Sequence, residues 1–288
     1  MKNLILTILL VLTVNLCFSQ NSSSAILKGA MEETKDSILV QKLKEVIVSE
    51  SLVPLQTKVG EYNQPLWSTM RMFPSTRIYV MNPPGTIMYE KWFDIRDRRD
   101  GPTEIRMRDE FTFGIGKRLQ LDIYNHTVFD GENGEHTFKW KGFSGEVRYA
   151  LADWGEIFGN PTLYFEYKLK KGRKGIEPKL LLGDKVGERG IWGVNLIYEA
   201  NVATLKEDQE REYAYTTSYG YIVNKSLTVG ASHMFRYNDF GGITREFYIG
   251  PLIQYRFNNK AYISLEYLPG LNQEAKKSRS MIIAAWRF

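Results

Sequence analysis

The chain lacks the residues that several architectures require. Of its 288 residues one is cysteine, Cys17. It lies in an N-terminal apolar run, so once that run is removed no disulfide, thiol nucleophile or cysteine-ligated metal is available. The three histidines, His126, His136 and His233, are too scattered for a metal pair of the His-x-x-x-His kind. No uncharged apolar run reaches the roughly 20 residues of a membrane-spanning helix, and the mean hydropathy is −0.33. That excludes a polytopic helical membrane protein. It does not exclude strands that cross a bilayer, whose alternating faces average out near neutral. The net charge of +5 comes without a Lys/Arg stripe free of acids, which argues against nucleic acid as a partner. Aromatic residues are abundant instead: 15 Phe, 17 Tyr and 6 Trp.

Residues 1–19 read as a signal peptide. Lys2 supplies the positive start, Leu4 to Phe18 the apolar stretch, and Cys17-Phe18-Ser19 the small-x-small cleavage site before Gln20. Leu16 precedes Cys17, which argues against a lipidated cysteine. Residues 20–85 form an N-terminal periplasmic extension or plug in this reading. Ile38, Leu39, Leu43, Val46 and Ile47 fall at helical spacing, which predicts an amphipathic helix over 26–50. Pro54, Pro65, Pro74, Pro83 and Pro84 then break the chain. Residues 51–85 read as irregular, with a short strand expected over 76–81.

From residue 86 onward, apolar and polar residues alternate with a period of two between Gly, Asn, Asp and Lys turns. Twelve strands are expected, at 86–93, 105–115, 119–129, 137–150, 161–170, 175–183, 190–203, 212–223, 227–237, 245–257, 261–269 and 278–288. One face is apolar and aromatic, as in Phe247, Ile249, Pro251, Ile253, Tyr255 and Phe257, or Tyr213, Tyr215, Tyr219 and Tyr221. The other carries charge: Arg106, Arg108 and Glu110; Asp122; Glu146 and Arg148; Glu166 and Lys168; Glu177 and Lys179; Glu199; Arg236; Arg256; and Glu266. A dry sandwich core cannot hold these groups, whereas the lumen of a membrane barrel can. The fold class expected is therefore all-β, a single antiparallel transmembrane β-barrel of about 12 strands spanning 86–288.

Turn lengths refine the expectation. Matching apolar faces sets Ile115 opposite Leu119, Val223 opposite Leu227 and Phe257 opposite Ala261, each across a three-residue loop. Connections on the other side, such as 94–103 and 205–211, read as longer and charged, in keeping with short periplasmic turns and long outer loops. In the hairpin 161–183, Gly172-Arg173 as the centre of a type II′ turn makes paired residue numbers sum to 345, with Lys168 opposite Glu177 and Glu166 opposite Lys179. Pro178 predicts an irregularity in that ladder.

The stretches "EIRMRDEFTFGIGKRLQLDIYNHTVF", "GEVRYAL", "EPKLLL" and "VNLIYE" resemble the outer-membrane barrels of the MetA phenol-degradation group and related transporter-like proteins. The resemblance covers about residues 85–288 and implies a barrel and passage of small molecules, with no catalytic residues to carry over. The closing Trp286 and Phe288 resemble the C-terminal assembly signal of outer-membrane barrels. The partners implied are outer-membrane lipid and lipopolysaccharide, the barrel-assembly machinery and a small solute. Location in the outer membrane of a Gram-negative bacterium follows from the same features.

No catalytic, metal or cofactor site is expected. Ser232 and His233 are adjacent in a strand, so their side chains point to opposite faces and cannot act together. Gly114-Ile115-Gly116 is a turn without the following helix of a phosphate loop. The acidic stretch 130–135 reads as an outer loop rather than a calcium site. Basic residues 170–174 fit either a solvated turn or contact with lipid phosphates. The function expected is a channel or transporter for a small solute. The alternative is a plugged, non-conducting barrel with a structural or partner-binding role. An outer-membrane lipid hydrolase is the remote reading.

Overall fold

The computed structural model describes residues 52–288, apart from 133–134, 171–172, 203–210 and 240–241. The expected signal peptide and the helix over 26–50 lie outside the described residues.

Twelve strands close into an antiparallel barrel, each paired with its neighbours in sequence and the last with the first. In chain order, two short strands, β1 (Lys58–Val59) and β2 (Gln64–Pro65), precede the wall. The wall strands are β3 (Ile87–Asp97), β4 (Glu104–Gly116), β5 (Leu119–Glu132), β6 (Glu135–Ala150), β7 (Thr162–Lys170) and β8 (Arg173–Val186). They continue with β9 (Gly190–Asn201), β10 (Arg211–Ile222), β11 (Leu227–Asp239), β12 (Ile243–Arg256), β13 (Ala261–Pro269) and β14 (Ser278–Arg287). Closure leaves no strand of the described wall at a sheet edge. The expected first strand grows at its C-terminal side to Asp97, because Asp94 and Arg96 face inward and join Arg279 there.

The period of two sorts the residues as the alternation requires. Outward-pointing Phe143, Leu163, Phe165, Ile253 and Tyr255 are exposed, while their sequence neighbours are buried within the barrel. An exposed apolar belt of this extent has no place on a water-soluble monomer.

Two of the three expected turns keep their register, with Phe257 N–H bonding to Ala261 and Val223 N–H to Leu227. These loops lack the usual glycine because asparagine does its work. Asn224 Oδ1 accepts from the N–H groups of Ser226 and Leu227, and Asn258 Oδ1 from those of Lys260 and Ala261, at 2.8–2.9 Å. The third turn differs. Gly116, not Ile115, pairs with Leu119, and a bulge between Gly114 and Gly116 absorbs the extra residue. Lys117 and Arg118 both take positive φ, 50° and 62°, the handedness that suits a two-residue hairpin.

The hairpin of β7 and β8 also corrects the expectation. Its pairs sum to 343, with Lys170 opposite Arg173 and Glu166 opposite Glu177. The shift is by two residues, so both faces survive. Lys168 still binds Glu177, but diagonally, and it also reaches Glu199 at 2.8 Å. Direct opposition of Glu166 and Glu177 is offset by diagonal bonds, since Lys168 and Lys179 both bind Glu177, so direct cross-strand pairs alone do not fix the register. Pairing of β8 with β9 lapses at Glu177 and Pro178, where proline has no N–H to give.

Connection length does not separate the two ends as expected. At the end where β3 begins, the turn 117–118 is short but 151–161 is long. At the far end, 98–103 and 270–277 are long, while β7 and β8 are joined through 171–172 alone.

Candidate functional site

The lumen is occupied by the chain's own N-terminal side. Residues 52–86 pass into the end of the barrel where β3 begins, make a single 3₁₀ turn at Leu66–Thr69, and cross the interior before joining β3. The strand expected over 76–81 does not form. That stretch runs between walls that point side chains, not backbone edges, at it, so no ladder is available.

The irregular backbone is instead satisfied by polar side chains of the inner face, as a buried main chain demands. Asn195 makes two bonds to Arg77, accepting from its N–H and donating to its carbonyl, both at 2.7 Å. Gln120 Oε1 accepts from Met81 N–H at 2.7 Å and Asn82 N–H at 3.0 Å. Tyr262 OH accepts from Arg71 N–H at 3.0 Å, and Ser264 donates to the Arg71 carbonyl. Arg287 donates to the Thr69 carbonyl at 2.5 Å.

Glycines of the wall make room for the crossing. A Cβ on Gly193 would stand 3.0 Å from Ile78 Cγ1 and from Thr76 Cγ2, and one on Gly114 would stand 2.0 Å from the Pro83 oxygen. Apolar residues fill the remaining space. Trp67, Phe73 and Tyr79 are at most 1% exposed and pack with Met88, Ile191, Ile222 and Leu252 of the wall.

Two arginines of this segment hold the charged level of the lumen. Arg71 binds Glu90 Oε2 at 2.6 Å and Glu110 Oε1 at 3.2 Å, with its guanidinium 4.2 Å from the Trp92 ring centre. Arg77 reaches Glu110 at 3.3 Å, Asp122 at 3.2 Å and Glu146 at 3.3 Å, and donates to Tyr124 OH at 2.6 Å. Arg148 closes the group from the wall, 2.5 Å from both Asp122 and Glu146. The carboxylate oxygens of Glu110, Asp122 and Glu146 lie within 4.8 Å of one another, a spacing a metal could use. Here guanidinium groups take that place, and an arginine cannot give up its charge. Contacts with the segment come from β3 to β10 and from β12 to β14, through Glu90, Glu110, Asp122, Glu146, Tyr164, Gly183, Asn195, Thr216, Gln254, Tyr262 and Arg287 in turn. The crossing therefore touches the wall nearly all the way round.

The charged residues expected on the inner face divide into two levels. Glu110, Asp122, Glu146 and Arg148 are completely buried against the crossing segment. Arg256 is also buried there, donating to the Val53 carbonyl at 2.5 Å, and Glu266 accepts from Ser75 at 3.0 Å. The others lie toward the far end. Lys168, Glu177, Lys179 and Glu199 form one network, Glu166 accepts from Tyr164 OH at 2.8 Å, and Arg236 binds Glu212 at 2.5 Å and Glu246 at 3.6 Å. Arg106 pairs with Glu104 at the mouth, and Arg108 stacks 4.1 Å from the Trp92 ring centre. Trp286 and Phe288 are exposed on the outside of the wall.

Arg71 and Arg77 were not visible as site residues in the sequence. A signal exists in hindsight. Each stands alone among Met, Phe, Ile and Tyr in a proline-broken segment, while the inner face carries an excess of carboxylates at Glu90, Glu110, Asp122 and Glu146. His126 Nε2 lies 2.7 Å from Ser144 Oγ on the inner face, whereas Ser232 points inward to Ser218 and His233 outward beside Tyr215.

No protein-family model matches the chain, and no curated protein matches it. Among solved structures, an outer membrane channel from Pseudomonas putida superposes with a TM-score of 0.51 at 10% identity, over 72% of this chain and 97% of that one. The NanC porin gives 0.48 at 11% identity over 69% and 97%, and the KdgM porin 0.47 at 12% over 70% and 99%. At such identities the likeness to the Pseudomonas channel is one of fold.

Proposed function

We propose that the chain is an outer-membrane barrel of the channel type whose lumen is held shut at one end by residues 52–86. A small solute passes when that segment is displaced. The observation that carries this reading is Arg77, which stands in the lumen bound to carboxylates of β4, β5 and β6 at once. Placement in the outer membrane of a Gram-negative bacterium is supported by the outward apolar belt. The resemblance to the MetA-pathway and transporter-like barrels points the same way, and its small-solute role is retained without a named solute. Export by a signal peptide over 1–19 belongs to the same proposal, as do insertion by the barrel-assembly machinery and a surround of lipid and lipopolysaccharide.

A second reading, a permanently closed barrel with a structural or partner-binding role, draws on the apolar packing of Trp67, Phe73 and Tyr79 around the crossing. Solute uptake into liposomes separates the two. The first reading expects little uptake by the native barrel and clear uptake once Arg71 and Arg77 are both glutamine. Folded, inserted double-variant protein that stays impermeable would favour the second.

A further inference from the structure

The outer face of the wall carries one feature that a lipid-facing surface does not explain. Lys91 and Asp109 stand directly opposite each other on β3 and β4, and Asn125 continues the row on β5. All three occupy the middles of their strands and point outward. Lys91 Nζ binds Asp109 Oδ1 at 2.8 Å, Tyr89 OH donates to the same oxygen at 2.6 Å, and Trp140 donates to Asn125 at 2.9 Å. The pair is part-covered, with 30% of the Lys91 side chain and 25% of Asp109 exposed. Around it stand Phe93, Met107, Phe111, Ile123 and Phe143, the apolar belt itself. The other ion pairs described above line the interior, and Arg118 with Asp153 sits in turns at a strand end.

A lysine at mid-height on the lipid face of a barrel is among the costliest placements, and the penalty falls off only toward the interfaces. Charged groups within a membrane almost always pair or face something other than lipid. Of the three hydrogens its ammonium can donate, Lys91 gives one to Asp109 among the described contacts.

Resting on the membrane reading above, we propose that this row is the contact surface for a second copy of the chain. A two-fold axis along the membrane normal sets Lys91 of each copy against Asp109 of the other, because a side-by-side pair of opposite charges is complementary to its own rotated image. The four charges then satisfy one another away from lipid, with the surrounding aromatic and aliphatic side chains packed as a rim. A lipid phosphate fits less well. Asp109 repels it, and headgroups lie at the strand ends rather than at their middles.

The test uses charge reversal in the full chain, reconstituted in lipid nanodiscs. Heat-modifiable mobility reports folding and insertion, and mass measurement reports copies per disc. Native protein is expected as dimers. Lys91→Asp and Asp109→Lys, each alone, should insert but associate about tenfold more weakly or worse, a loss worth about 1.4 kcal/mol or more. Mixing the two variants should restore dimers, since two acids then face two lysines. Lys91→Leu/Asp109→Leu, which removes both charges, guards against variants that fail to insert; it should give folded monomers. Native protein that inserts as a monomer, or a double-leucine variant that remains a dimer, would overturn the proposal. So would anionic lipid retained on Lys91 in place of a second copy. Protein that folds in water without detergent would instead overturn the membrane reading on which the proposal rests.

Discussion

Replacing Arg77 with glutamine removes the crossing segment's cation from Glu110, Asp122 and Glu146, which it meets at 3.2–3.3 Å. Removing one partner of a buried ion pair costs about 3–5 kcal/mol, because the other charge is left without compensation. The lower end applies here, since Arg148 still lies 2.5 Å from both Asp122 and Glu146 and Arg71 still reaches Glu110. About 3 kcal/mol moves the ratio of seated to displaced segment by about a hundredfold. Planar-bilayer recording reads this as open probability, and it should rise by that order in Arg77→Gln. Adding Glu110→Gln to the same variant should reverse much of the gain, because one buried carboxylate then leaves with the lost cation while Arg71 keeps Glu90 and Arg148 keeps Asp122 and Glu146. A folded Arg77→Gln barrel with native open probability would show that Arg77 does not hold the segment in place. An Arg77→Gln/Glu110→Gln variant that opens further would do so as well.

Other outcomes follow from the same geometry. Gly193→Val places a Cβ 3.0 Å from both Thr76 and Ile78, before its methyl groups are counted. Overpacking of this kind costs about 1–3 kcal/mol, so solute leak into liposomes should increase while heat-modifiable mobility stays native; an unchanged leak would mean the segment does not press on β9. Deleting Phe288, or replacing it with Asp, should sharply reduce assembled barrel in the outer-membrane fraction. A charge near the interface costs only about 0–1 kcal/mol, so a large defect marks recognition during insertion, and full assembly of either variant would remove that role.

Much of the wall was legible in the sequence because a strand buried on one face must alternate. All twelve strands follow from that pattern, with ends off by a few residues where charged side chains such as Asp94 and Arg96 continue the ladder inward. Register was less legible. Direct charge pairing between Glu166 and Lys179 favours a sum of 345, yet the strands adopt 343 and bind Glu177 diagonally through Lys168 and Lys179, and the bulge at Gly114–Gly116 has no signature in alternation. The crossing segment was the least legible part. Its conformation comes from no local periodicity. It comes from Gln120, Asn195, Tyr262 and Ser264, distant residues that satisfy its backbone, and from glycines that leave it space. The charged inner face was visible, but not that Arg71 and Arg77 stand against it.

Closure of the lumen by residues 52–86 is read from single-channel conductance of the native barrel beside one lacking residues 62–82. Both must show the heat-modifiable mobility of a folded barrel. A silent native protein and stable conductance steps from the shortened one are expected. Steady conductance through the native protein, or silence from a folded barrel that has lost the segment, would contradict that closure.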